Sequence, residues 1–118
     1  MSNNLIFNLT IKIEKAVEQA WLADVKQNYL PLIVDGINIL SAQINKLVLE
    51  TPEAENTFAI QFIYPSAELF KEKKLLTMQV FLTAMDAKYR GKYVYFATMM
   101  ELVHYYSKKI DNPQISLN

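Results

Sequence analysis

One residue of this chain stands out as a candidate for acid–base chemistry: His104, the single histidine among 118 residues. It lies in the stretch ELVHYY, residues 101–106. Histidine is the usual general base near neutral pH, but it needs an orienting partner or a nucleophile. No serine–histidine–aspartate or cysteine–histidine pattern is visible around it. We therefore expect His104 to lie at a strand end or in a subunit contact, with a haem ligand as the weaker alternative.

Metal ligation would depend almost entirely on carboxylates, because the chain has no cysteine and one histidine. Glu50, Glu53 and Glu55 are closely spaced, but they lack the Asp/Asn pattern and the glycine of a calcium loop. The sequence thus predicts no metal, no cofactor and no catalytic residue. It leaves open whether the protein is an enzyme.

Charge and hydropathy restrict the classes of partner. Twelve basic and twelve acidic side chains cancel, which disfavours nucleic-acid binding. The densest apolar window, residues 78–85, is far shorter than the roughly 20 residues of a membrane-spanning helix. No signal peptide is visible at the N-terminus. These features predict a soluble, cytoplasmic protein.

Four strands and two helices are predicted from hydrophobic periodicity. The strands cover residues 5–13, 39–49, 58–64 and 93–103, with a bulge near Asn45 and Lys46 in the second and a hairpin loop at 50–57. A helix from Glu14 should end or bend near Leu30, because Pro31 disfavours helical geometry before it and Gly36 supplies a stop. A second helix should follow Ser66 and cover residues 67–88.

The order strand, helix, strand, strand, helix, strand is typical of the ferredoxin-like βαββαβ arrangement. Right-handed crossovers place both helices on one face of a four-stranded antiparallel sheet. The predicted class is therefore α+β. We expect one domain over residues 1–106 and a polar C-terminal tail over residues 107–118.

The sheet face that no helix covers is predicted to be largely apolar with a few polar groups. On the first, third and fourth strands we assign to it Ile6, Asn8, Thr10, Ala59, Gln61, Ile63, Tyr93, Tyr95, Ala97 and Met99. Large apolar patches are uncommon on soluble monomers, so this face is expected to join two copies of the chain in a homodimer. Its polar members are the candidate ligand-binding residues: Asn8, Gln61 and Tyr95.

Three stretches resemble a family of small bacterial proteins of unknown function with a ferredoxin-like fold. They are W-x7-Y-L-P-x4-G, which begins at Trp21, the triplet IQF at residues 60–62, and YRGKYVYFAT at residues 89–98. The resemblance covers most of residues 5–102. The family usually carries histidine at the position of Tyr29 and arginine at that of Ala97, so this chain lacks two polar groups that a shared site could use.

The resulting functional prediction is a non-catalytic homodimeric α+β module with space for a small apolar ligand between its sheets. The alternative is a cofactor-independent monooxygenase or isomerase of the dimeric α+β barrel type, with Asn8, Gln61 and Tyr95 as the polar groups of its pocket. That alternative rests on fold analogy.

Overall fold

A computed structural model of the chain describes residues 4–48, 51 and 56–109. Its strands are β1 (Leu5–Ile13), β2 (Ser41–Lys46), β3 (Thr57–Tyr64) and β4 (Tyr93–Glu101). Its helices are α1 (Glu18–Asp24), α2 (Leu30–Ile37) and α3 (Ala67–Tyr89). A 3-10 turn at Lys15–Val17 precedes α1, and a π-helical turn at Val25–Tyr29 connects α1 to α2.

The four strands form one antiparallel sheet in the order β2-β3-β1-β4, with β1 paired to both β3 and β4. Trp21 of α1 packs on Phe58 of β3 at a ring distance of 5.1 Å, and Phe81 of α3 packs on Phe62 of the same strand at 5.9 Å. Since side chains alternate along a strand, Phe58 and Phe62 lie on one face. Both α1 and α3 therefore cover that face. The predicted ferredoxin-like α+β fold is confirmed.

The core lies between the helices and this face, which we call the helix side. Every second residue of β1 and β3 is buried there: Phe7, Leu9, Ile11, Ile13, Phe58, Ile60, Phe62 and Tyr64. Burying apolar area at about 25 cal/mol per Å² is the main stabilising contribution to such a layer. The opposite surface of the sheet is the open face.

Of the two predicted alternatives, an end or a bend near Leu30, the end is wrong: the chain stays helical there, through a π-helical turn directly before Leu30. The amide of Leu30 donates to the carbonyl of Val25, five residues back, in the π-helical turn, and α2 then continues to Ile37. A proline lacks an amide hydrogen and crowds the carbonyl four residues before it. The wider turn just ahead of Pro31 relieves this crowding, and the helix continues.

The helix also passes through Gly36 instead of stopping there. Asn38 follows α2 with a φ of 66°, in the left-handed region that asparagine tolerates better than most residues. Its amide donates to the carbonyl of Val34 at 3.0 Å and closes the last turn. Asn38 therefore supplies the stop that the sequence analysis assigned to Gly36.

The predicted bulge in the second strand is absent. The pairing of β2 with β3 runs without an inserted residue from Ser41 opposite Ile63 to Lys46 opposite Phe58. The change of apolar frame at Leu47 coincides with the end of the strand. Most of the predicted loop 50–57 lies outside the described residues.

The start of the second predicted helix is as expected, since the hydroxyl of Ser66 accepts from the amide of Leu69 at 3.1 Å.

Candidate functional site

The open face carries a line of uncharged polar side chains that crosses all four strands. Strand pairing places Gln43 opposite Gln61, Gln61 opposite Asn8, and Asn8 opposite Thr98. Neighbouring strands are about 4.8 Å apart, so the line extends over about 14 Å. We call these four residues the amide row.

Hydrogen bonds satisfy the amide row only in part. The amide of Gln43 donates to Oε1 of Gln61 at 3.3 Å, and the Nδ2 group of Asn8 donates to Oγ1 of Thr10 at 3.0 Å. Asn8 is 7% exposed, yet its Oδ1 atom accepts no hydrogen bond within the described part of the chain. Buried polar atoms in folded proteins nearly always have a partner. The Oδ1 atom of Asn8 is therefore a buried acceptor without a hydrogen bond among the described residues.

Two rows of mostly smaller or apolar side chains flank the amide row. The isoleucine row contains Ser41, Ile63, Ile6 and Met100, and the phenylalanine row contains Asn45, Ala59, Thr10 and Phe96. Phe96 is 61% exposed, which is high for an aromatic ring. These three rows contain no charged side chain. The centre of the open face is therefore neutral, and its apolar groups are concentrated toward β1 and β4.

A shallow depression of about 250 Å³ adjoins the phenylalanine row. It is lined by Thr10, Lys12, Thr57, Val94, Tyr95 and Phe96. Ligand pockets for small molecules usually measure about 300–1,000 Å³ and enclose most of the ligand. The depression on a single chain is smaller and open, so a second surface would be needed to enclose a ligand.

The structure brings together two of the three predicted ligand residues. Asn8 and Gln61 are direct neighbours on the open face. Tyr95 is paired with Ile11, whose side chain is buried on the helix side, and its ring lies 6.2 Å from that of Tyr93 on the same side. Tyr95 is therefore separated from Asn8 and Gln61 by the sheet.

The face assigned to β4 from the sequence was wrong as a whole. Because Leu9 pairs with Ala97, the alternate residues Tyr93, Tyr95, Ala97 and Met99 lie on the helix side. The open face instead carries Val94, Phe96, Thr98 and Met100. The sequence analysis also missed Gln43, although it alternates with Ala42 and Ile44, both partly buried on the helix side.

A second polar cluster connects α1 to α3 around the carboxylate of Asp24. Its Oδ2 accepts from the hydroxyl of Tyr89 at 2.5 Å and from Nζ of Lys88 at 2.9 Å, and its Oδ1 accepts from Asn28 at 3.1 Å. These bonds, that of Tyr89 above all, lower the pKa of Asp24. Burial and the same bond raise the pKa of Tyr89 to about 12. A carboxylate held by three donors is suited to joining two helices and poorly suited to proton transfer.

The remaining candidates supply no reactive centre. His104 is exposed beyond the end of β4. Within residues 4–48, 51 and 56–109, no three His, Cys, Asp or Glu side chains are grouped so as to hold a metal ion. Glu50, Glu53 and Glu55 lie outside the described residues. Of the helices described, none has the length and apolar character to cross a membrane.

Comparisons with known proteins agree with this architecture. The family model of a domain of unknown function, DUF4286, matches residues 4–103. No curated protein matches the chain. Among solved structures, a dimeric ferredoxin-like protein from an uncultured marine organism covers 90% of this chain and all of its own, with a TM-score of 0.58 and 8% sequence identity. At that identity the likeness establishes the fold.

Proposed function

Because the chain belongs to the DUF4286 family, whose description names no activity, we propose its function from the geometry of the open face: a non-catalytic homodimeric module whose sheets pack face to face. One observation supports this most strongly. The open face combines exposed apolar side chains with a neutral centre. Val94 is 68% exposed, Phe96 61% and Met100 36%. Patches of this kind on soluble proteins usually mark interaction surfaces.

The size of the open face suits a contact between identical chains. Four strands spaced about 4.8 Å apart, with rises of about 3.4 Å along the nine residues of β1, give a flat area on the order of 600 Å². Side-chain relief increases that area toward the roughly 800 Å² per partner of a standard interface. The dimeric state of the ferredoxin-like neighbour gives further support at the level of the fold.

A ligand between the sheets is the second part of the proposal. When a second sheet covers the open face, the depression beside Phe96 becomes enclosed and offers a small, mainly apolar space. Asn8 and Gln61 are the polar groups nearest the centre of the face. Tyr95 adjoins the depression, but its side chain lies on the helix side, away from Asn8 and Gln61, so we do not include it among these polar groups. The bacterial origin and cytoplasmic location stay predictions from the sequence.

The enzyme alternative is not favoured. The comparisons name no activity, and the open-face rows contain amides, hydroxyls and apolar groups that do not titrate near neutral pH. General acid–base catalysis needs a group with a pKa near the working pH. A cofactor-independent reaction would therefore have to proceed without such a group in the amide row.

Two adjacent methionines of β4 give a matched test of the interface. Met100 lies on the open face and Met99 on the helix side, at 36% and 46% exposure. In the proposed dimer, Met100→Lys buries a charge with no opposite partner, which is costly. We expect light scattering at micromolar concentration to show a dimer for the native chain and for Met99→Lys, and a monomer for Met100→Lys.

Circular dichroism on the same samples checks that both variants are folded. A native chain that is monomeric at these concentrations would contradict the proposal. So would a folded Met100→Lys variant that stays as dimeric as Met99→Lys, because the interface would then lie elsewhere on the molecule.

A further inference from the structure

We infer that the amide row is the element by which two copies of this chain recognise and align each other, pairing with the same row of the partner. The inference rests on the proposed homodimer. It goes further by assigning the alignment of the two sheets to four uncharged polar side chains, Gln43, Gln61, Asn8 and Thr98. The apolar side chains of the flanking rows contribute burial but little direction, since apolar contacts are non-directional.

The chemistry of the amide row suits a contact between identical surfaces. In a two-fold dimer the same patch faces itself, so the patch must be complementary to its own copy. A primary amide carries both a donor and an acceptor, and a hydroxyl does as well. A row of such groups can therefore pair with an identical row. A row of like charges would repel its copy; the three central rows of the open face contain no charge, and Lys12 lies in the next row, opposite Val94.

The amide row also has the central position that the inference requires. In the strand order β2-β3-β1-β4, Gln61 and Asn8 belong to the two inner strands. Their row lies between the isoleucine row and the phenylalanine row. Residues near the axis of a two-fold contact meet their own counterparts. A two-fold axis at the middle of the open face thus places Gln61 and Asn8 close to the same residues of the partner.

The unpartnered oxygen of Asn8 points to what this position lacks within one chain. The side chain is 7% exposed and donates to Thr10, while Oδ1 accepts nothing from the described residues. Oδ1 has almost no accessible surface in a single chain, so a donor from the partner's row reaches it only when the Asn8 side chain turns outward. Polar groups at the centre of a contact fix its alignment, because misaligned arrangements leave them buried and unpaired. Asn8 is the residue of the row most suited to this role.

Cross-linking tests the alignment directly, because the chain contains no cysteine of its own. Gln61→Cys places one thiol per chain near the proposed axis. A bis-maleimide spanning about 10 Å, the distance between packed sheets, should then join two chains into a covalent dimer. Gln79→Cys, on the exposed surface of α3, is the matched control and should give at least tenfold less covalent dimer.

The conservative change Asn8→Asp tests the pairing itself. It preserves the shape of the side chain but removes its donor and sets two carboxylates against each other across the interface. We expect the dissociation constant at pH 7 to rise at least tenfold by sedimentation, and to recover toward the native value at acid pH as the carboxyl protonates. Gln79→Glu, the matched change on α3, should dimerise like the native chain.

The outcomes separate this inference from the proposed dimer. If Met100→Lys dissociates the protein, but Gln61→Cys cross-links no better than Gln79→Cys, the open-face dimer stands and the pairing of amide rows is wrong. A folded Asn8→Asp variant that dimerises at pH 7 with the affinity of the native chain would also show that the pairing of amide rows is wrong. If Asn8→Asp does not fold, the cross-linking result decides alone. A monomeric native chain overturns both.

Discussion

The two faces of the sheet are formed by the same strands but differ in how far their buried polar groups are hydrogen-bonded. On the helix side, the hydroxyl of Tyr64 donates to Thr77, whose own hydroxyl donates to the carbonyl of Lys73 at 2.9 Å. Both side chains are fully buried and fully supplied with partners. On the open face, Asn8 is nearly as buried, but its oxygen has no hydrogen-bond partner among the described residues.

This difference indicates which face is complete within one chain. Leaving a buried donor or acceptor unpaired costs about 1–3 kcal/mol, so folded chains rarely retain such a group without compensation. The helix side is largely complete within one chain, because the helices cover β1 and β3 there and its buried polar atoms in the described residues are paired, while Tyr95 and Met99 of β4 stay partly exposed. The open face has exposed apolar side chains such as Val94 and Phe96, which a partner surface would cover.

The largest effect that tests this comparison is expected on the helix side. Trp21 is fully buried, and its Nε1 group donates to the sulfur of Met85 at 3.0 Å. Trp21→Ala should lower the free energy of unfolding by about 3–5 kcal/mol, the range for deleting a large buried aromatic. Urea unfolding followed by circular dichroism, at one fixed protein concentration, measures this loss. Leu75→Ala is the control, because Leu75 is 71% exposed. A loss of unfolding free energy below about 1 kcal/mol for Trp21→Ala would show that Trp21 is not part of the helix-side core.

A smaller effect, with a specific pH dependence, is expected at the helix junction. Bonds from Tyr89 and Lys88 lower the pKa of Asp24 below its usual 3.8. A lowered folded-state pKa adds stability that is present above the unfolded value and lost as the pH falls through the folded value. Asp24→Asn should thus cost about 1 kcal/mol at pH 7, and this difference should shrink as the pH falls below about 4.

The same pH series sharpens the contrast between the faces. The central rows of the open face have no titrating side chain, so the dimer dissociation constant of the native chain should change less between pH 7 and pH 5 than that of Asn8→Asp.

For the helix junction, a difference in unfolding free energy between native and Asp24→Asn that persists unchanged at pH 3 would show that the carboxylate of Asp24 is not held as the geometry indicates.

The smallest effect is expected at His104, which belongs to neither face. It is exposed in the segment after β4. His104→Ala should change the free energy of unfolding by less than about 0.5 kcal/mol, the usual range for surface positions. Thermal unfolding measures it. A shift of the midpoint beyond about 5 °C would assign His104 a structural role that its exposure does not suggest.

The sequence predicted the fold well where its hydrophobic periodicity was compatible with one buried face only. Strand β1 alternates between large apolar residues and a mixed set that includes Asn8, Thr10 and Lys12, so its buried face was identified correctly. Ser66 likewise marked the start of α3. In both cases a local preference and the tertiary environment favour the same structure.

The main error arose where both alternating sets of side chains in a strand were equally apolar. The β4 stretch YVYFATMM has hydrophobic residues in both frames, so alternation could not assign its faces, and only the pairing of Leu9 with Ala97 decides them. This is why Tyr95 was placed beside Asn8. Pro31 gave a clear helix-stop signal that the π-helical turn before it overrides. Such a turn depends on packing and leaves no short-range pattern in the sequence.

The position of the single indole has an optical consequence. Trp21 is enclosed on the helix side, 5.1 Å from the ring of Phe58, and the sheet separates it from the open face. Its fluorescence therefore responds to loss of the core but not to the surroundings of the open face. Two chains that separate while each remains folded should emit as before, whereas unfolding should shift the emission to longer wavelength. One intrinsic fluorophore thus distinguishes dissociation from unfolding without any label.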